Sequence, residues 1–272
     1  DGFAVGTNNG INQDGVTNVA WCWKAETAFS NDASSTSVGS IDSAGSVNET
    51  AGISICAYTG VSSAGTIKHG LSTTPSVIIW KNRSASNGWI TYHHKNTSAP
   101  ETDYLELHAT NATADLNTIM ADTAPTSSVF SIGTEGAVGG GNTNNFIAYI
   151  FSERKGYSKF GSYDGSASAD GPFIYTGFKP AWFMTKKSNG AKDWNIFDNK
   201  RSDSGGGNAN DQYLEANTNA AEQSGQDVDL LSNGIKIRST SNEVSGDGND
   251  FIYLAFAESP FVNSNGIPTN AR

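Results

Sequence analysis

The sequence predicts an all-β protein built from two tandem antiparallel β-sandwich or jelly-roll-like repeats of about 105 residues, preceded by a partial third repeat. Three observations carry this prediction. Of the 272 residues, 36% are hydrophobic and only 16% charged, with Ser, Thr, Asn and Gly prominent in the remainder. That balance suits short strands joined by polar turns. Ala, Leu, Glu and Lys nowhere accumulate at the 3.6-residue period of an amphipathic helix. A series of motifs recurs, in order, at one spacing.

The spacing is 105 positions between Pro75 and Pro180, between Trp89 and Trp194, and between Glu153 and Glu258. GISICAYTG, ending at Gly60, is matched by YSKFGSYDG, ending at Gly165. HGLSTTPSVIIWK is matched by TGFKPAWFMTK, GWITYHHK by DWNIFDNK, SVFSIG by NGIKIR, and NFIAYIFSE by DFIYLAFAE. The offset slips only in loops, to 109 between Tyr104 and Tyr213. The repeats are expected over 53–153 and 154–272, the second including a C-terminal tail.

The opening stretch, 1–26, resembles the closing part of each repeat: Phe3 stands where Phe130 and Ile235 stand, and Ala20-Trp21 where Ala148-Tyr149 stands. Phe3, Val5, Val19, Trp21 and Trp23 alternate at period two, so the segment is expected to form a hairpin that closes a module whose remainder is not in this chain or docks on a neighbour. Residues 27–52, rich in Ser, Gly, Asn and Ala, read as a surface connection with at most one short strand.

Within each repeat the strands show as alternating or continuous apolar runs. Ser76 to Lys81 and Ala181 to Lys186 are apolar on both faces, as interior strands are. Trp89 to Tyr92 and Trp194 to Phe197 follow polar turns, with Asn87-Gly88 supplying hairpin chemistry before the first. The closing strands, Phe146 to Phe151 and Phe251 to Phe256, each follow a Gly/Asn/Asp loop, GGGNTNN or SGDGND. Short strands between such turns indicate a sandwich or jelly roll.

A net charge of −10 argues against binding nucleic acid by charge, and no apolar run is long enough to span a membrane as a helix. Cys22 and Cys56, the two cysteines, lie in apolar runs and read as buried thiols, with a disulfide between them left open. No activated nucleophile, P-loop or HExxH motif occurs, so the chain is expected not to be an enzyme. Asp227 and Asp229 are spaced to flank a glycosidic bond, but their counterparts in the first repeat are Asp122 and Ala124.

Candidate binding residues are few. All four histidines, His69, His93, His94 and His108, fall in the first repeat. They read as solvated loop residues, with the His93-His94 pair the candidate for contact. Trp80 stands opposite Thr185 in the repeat alignment, and Trp182 opposite Val77. Aromatics that differ between copies are candidates for stacking on a sugar ring or a neighbouring subunit, against the plainer reading that both lie in the core. Asp247, Asn249 and Asp250 are weak calcium candidates, since Asp, Asn and Gly are also the ordinary residues of tight turns. No other cofactor is expected.

The runs VAWCWKA, YTG…HGL…P…K…W, YSKFGSY-G…DGPFIYTGF-P and LSNGIKIR…FIYLAFAE-PF…NAR resemble a family of virion structural proteins of marine and environmental bacteriophages, of tail, tail-fibre or appendage type. The resemblance covers nearly the whole chain, and in that family AFAE-PF…NAR looks like a C-terminus. It implies a non-enzymatic virion or extracellular protein, used for assembly and host-surface glycan binding. It would form a homo-oligomer, a trimer being favoured, and contact other virion proteins. A bacterial surface adhesin or filament subunit is the alternative, and a polysaccharide-degrading enzyme the second alternative.

Overall fold

The computed structural model describes residues 2–201 and 208–258. The matched C-terminal residues Pro260, Phe261 and Asn270 to Arg272 lie outside this range. The described chain is an all-β fold of antiparallel sheets with only single-turn helices.

The first repeat contributes β3 (Ile53–Thr59), β4 (Gly65–Lys68), β5 (Val77–Asn82), β6 (Trp89–His93), β7 (Asp103–Glu106), β8 (Ala114–Asp115), β9 (Val129–Ile132) and β10 (Asn145–Phe151). The second contributes β11 (Ser158–Asp164), β12 (Phe173–Tyr175), β13 (Pro180–Lys187), β14 (Trp194–Asp198), β15 (Asn210–Glu215), β16 (Gln223–Leu231), β17 (Gly234–Ile237) and β18 (Asp250–Ala257). Two more strands, β1 (Thr27–Asn31) and β2 (Ser43–Asn48), precede them. The short helices are α1 (Asn9–Asn12), α2 (Ala33–Thr36) and α3 (Asn117–Met120).

Sheet one has the order β1-β2-β3-β10-β5-β6-β7-β8, with β4-β9 as a separate two-stranded ladder, and sheet two the order β11-β18-β13-β14-β15-β16-β17-β12. The shared core of both is one pattern in one register. Phe146 pairs with Tyr58 and Asn82, as Phe251 pairs with Tyr163 and Lys187. Lys81 pairs with Trp89 as Lys186 pairs with Trp194, and Phe130 with Ile67 as Ile235 with Ile174. Each pair of equivalents keeps the sequence offset, apart from a two-residue slip at β4 and β12.

Two glycines show why the repeat is constrained at its turns. Gly60 and Gly165 directly follow β3 and β11, and a Cβ would lie 2.5 Å from the Gly139 carbonyl oxygen at one and 2.1 Å from that of Gly246 at the other. The Gly-rich loop before each closing strand passes too close for any side chain.

Each sheet buries both faces. The inner face of sheet one packs Ile78, Trp80, Tyr92 and Phe146 against Ile67, Phe130 and Met120 of β4, β9 and α3. The inner face of sheet two packs Phe183, Phe197 and Phe251 against Ile174 and Ile235. The outer faces pack on one another: Val77, Ile79, Leu105, Tyr149 and Phe151 meet Trp182, Met184, Trp194, Leu254 and Phe256. This is why β5 and β13 are apolar on both sides. The repeats are therefore joined through a third core, and burial of each large side chain there contributes about 2–3 kcal/mol.

The N-terminal expectations are corrected. Among the described residues 2–26 there is no strand and no hairpin. The alternation nevertheless has a role: Val19, Trp21, Trp23 and Ala25 point inward while Ala20, Cys22 and Lys24 are exposed. Trp23 meets Phe151, Trp182 and Phe256 edge-on at the margin of the third core. The segment docks chiefly by side chains, with the Glu26 amide bonded to the Val47 carbonyl of β2 at its end. Residues 27–52 are more than a connection. Strand β1 pairs with β2 and β2 with β3, extending sheet one by a hairpin. Cys56 is buried but Cys22 is exposed, and both are free thiols, so the disulfide is not formed and only one cysteine fits the buried reading.

Candidate functional site

Three of the four predicted binding residues are buried, which corrects their reading as contact residues. Trp80 is 0% exposed and packs edge-on to Phe130, with ring centroids 5.8 Å apart. Its counterpart Thr185 spends its hydroxyl on Tyr163 and on the Ile252 carbonyl. Trp182 is buried in the third core, perpendicular to Trp23 at 5.4 Å. The two tryptophans lie on opposite faces of different sheets and share no site.

His93 is not a solvated loop residue either. It is buried, its Nε2–H donating to the Tyr253 carbonyl of the second repeat at 3.1 Å and its Nδ1 accepting from the Lys95 amide at 3.1 Å. Both nitrogens are satisfied only by the neutral ring. Burial, aided by His94, lowers its pKa to about 3. His94 is half-buried and bonds through Nε2 to the Phe160 carbonyl at 2.9 Å, with the Glu153 carboxylate 4.0 Å away. Glu153 accepts the Phe160 amide at 2.8 Å. His93, His94 and Glu153 thus form a polar staple between repeats. His69 is buried too, Nδ1 accepting from the Leu71 amide and Nε2 bonded to the Thr126 carbonyl.

The calcium candidates serve the turn before β18. Asn249 donates to the Asn242 side-chain oxygen, and the Asp250 carboxylate accepts from Asn189 at 3.1 Å. Among the described residues no group of three or more His, Cys, Asp or Glu side chains is arranged to hold a metal ion. Asp229 is tied to Arg238 at 2.7 Å.

The site that residue-by-residue reading misses lies where the N-terminal segment crosses sheet two. The positions equivalent to His93, His94 and Glu153 are Asp198, Asn199 and Glu258, and they cluster again. The Trp21 indole N–H donates to Asp198 at 3.1 Å, and Arg201 Nε donates to the same oxygen at 2.5 Å. The guanidinium lies 5.7 Å from the Trp21 ring centre and also bonds Glu222 at 2.7 Å. Lys200 and Asn199 both reach Glu258. The resulting groove, about 250 Å³, is lined by Trp21, Trp23, Tyr157, Trp182 and Phe256 together with Asp198, Lys200 and Glu258. Among the described residues the buried Trp182 indole N–H has no hydrogen-bond partner. An aromatic lining beside hydrogen-bonding groups suits a polar ring such as a sugar, and among the described residues it brings together no nucleophile–base pair. The signal in the sequence was the replacement of His93-His94 by Asp198-Asn199 at one repeat position.

Residues 1–260 match the model of a family described as a domain of unknown function (DUF7483), and the chain belongs to that family. No curated protein and no solved structure matches it.

Proposed function

We propose that this family member is a non-enzymatic structural protein of an extracellular particle, a bacteriophage tail fibre or appendage, used for assembly and host-surface glycan binding. The observation that carries the reading is the third core. Large aromatic side chains and His93 are buried where the two repeats meet. Two repeats joined through a common core suit a part that bears load or presents a surface. The phage assignment is supported by the sequence motifs, and the glycan arm by the groove that the partly exposed Trp21 and Trp23 line. As a virion component the chain would contact itself and other virion proteins, with a trimer favoured.

Electron microscopy of native particles labelled with an antibody to this chain tests the assembly arm, and labelled virion tails are expected. Label confined to cell-surface filaments would favour the adhesin reading instead. Glycan-array binding that is lost in Trp21→Ala tests the second arm.

A further inference from the structure

The two repeats differ in how their β4-type edge is finished. In the first repeat the outer edge of β4 is covered by residues 40–43 of the hairpin segment. The Thr66 carbonyl accepts the amides of Ser40 at 2.8 Å and Ile41 at 3.1 Å, and the Thr66 amide donates to Ser40 Oγ. The Lys68 carbonyl accepts from Ser43 Oγ, and Ile41 forms a parallel bridge with Ile67.

By register, Phe173 and Tyr175 of β12 stand where Thr66 and Lys68 stand. The second repeat has no hairpin segment, since only 152–157 separate β10 from β11. On β12 the main chain of Pro172, Ile174 and Thr176 faces β17, so that of Phe173 and Tyr175 faces outward. Among the described residues nothing hydrogen-bonds those outward groups, and β12 ends its sheet. Phe173 is 46% exposed and Tyr175 65%, both on one side of the strand. An edge with free amides and two exposed aromatics is a template for another strand.

The chain also carries a segment suited to that edge. Residues 2–6, GFAVG, are non-helical, with Phe3 67% and Val5 44% exposed. Phe3 and Val5 are spaced i and i+2, as are the exposed Phe173 and Tyr175 of β12.

We propose that residues 2–6 of one copy add as a strand to the outer edge of β12 of a second copy, with Phe3 and Val5 packing on Phe173 and Tyr175. The contact is head-to-tail, because donor and acceptor are different surfaces, and it generates a ring where the rotation closes and a filament where it does not. The proposal rests on the assembly reading above and names the surfaces that would perform it.

The test uses the full chain in three forms: unaltered, with Phe3→Lys and Val5→Lys, and with Phe173→Lys and Tyr175→Lys. All four positions are exposed, and an unchanged melting temperature verifies folding. The unaltered chain is expected to associate with rising concentration in native mass spectrometry, with slowed amide exchange at 173–175. Each altered form is expected to associate at least tenfold more weakly. A mixture of the two altered forms is expected to yield one-to-one dimers and nothing larger, since it retains one intact donor and one intact acceptor. Oligomers that survive both sets of changes would overturn the proposal and leave assembly by another surface standing. A monomer whose β12 amides are already protected would mean that the edge is closed within one chain, overturning it too. An unaltered chain that stays monomeric at all concentrations would remove both this proposal and the assembly reading.

Discussion

Phe151 and Phe256 hold the same position in successive repeats and meet each other, edge to face, with ring centroids 5.7 Å apart. Both also touch Trp23. A contact between equivalent residues means that the two repeats present the same sheet face to one another. The interface resembles a dimer interface closed within one chain.

Because this interface is a core, the repeats are expected to unfold together. Phe256→Ala removes a buried ring and is expected to destabilise the protein by about 3–5 kcal/mol. Urea unfolding followed by tryptophan fluorescence and by far-ultraviolet circular dichroism should give one coincident transition. Two separated transitions would show that the third core does not couple the halves.

The buried neutral state of His93 predicts acid lability. Its pKa falls from an ordinary 6.5 to about 3 on folding, so between those values the unfolded chain binds a proton that the folded chain does not. The stability from this group is fully present above pH 6.5 and is lost progressively as the pH falls toward 3. Burial shifts His69 and His94 in the same direction. Urea midpoints measured from pH 7 to pH 4 should fall less steeply in His93→Gln, which keeps a donor and an acceptor without a titrating ring.

Lys81 and Lys186 are equivalents with unlike surroundings. Lys186 is fully buried, its ammonium donating to the carbonyls of Thr110, Lys187 and Gly190, and burial lowers its pKa to about 8. Lys81 is half-buried, bonds the Asn87 carbonyl and lies 5.4 Å from the Trp89 ring centre. Lys186→Met, which strands three carbonyls, is expected to cost about 3 kcal/mol, and Lys81→Met about 1 kcal/mol or less. Equal losses in denaturant titrations would contradict the assignment.

A hydrogen bond recurs at the base of each repeat. The Tyr58 hydroxyl donates to the Val138 carbonyl and the Tyr163 hydroxyl to that of Val244, and each ring stacks on the phenylalanine that opens the closing strand. Tyr58→Phe and Tyr163→Phe should each lower stability by about 1–2 kcal/mol, from a buried carbonyl left unpaired, with the fold unchanged. Losses below a few tenths of a kcal/mol, measured in the same titrations, would show that water replaces the hydroxyl.

The N-terminal segment is held chiefly by Trp21 and Trp23. Trp23→Ala is expected to release residues 2–26 without unfolding the sheets, so limited proteolysis should cut ahead of Thr27 while β3 to β18 stay protected. Protection equal to that of the unaltered chain would show that the tryptophan is not the anchor.

The repeat, its strands and its turns are determined by the sequence alone. Short apolar and aromatic runs mark β6, β10, β14 and β18, Gly/Asn/Asp loops precede β10 and β18, and the double-sided apolar character of β5 and β13 shows that both faces need cover. A pattern of period two says which side chains share a face, but it carries no information about what lies on the other side. Only the tertiary structure decided that the outer faces cover each other, that Trp80 and Trp182 therefore serve two different cores, and that His93 is a buried staple while its equivalent Asp198 receives Trp21. The same holds for residues 2–26, where the alternation was visible but the expected hairpin depended on a partner strand. Such outcomes depend on contacts between segments about a hundred residues apart, where packing and backbone alignment, not local preference, set the free energy.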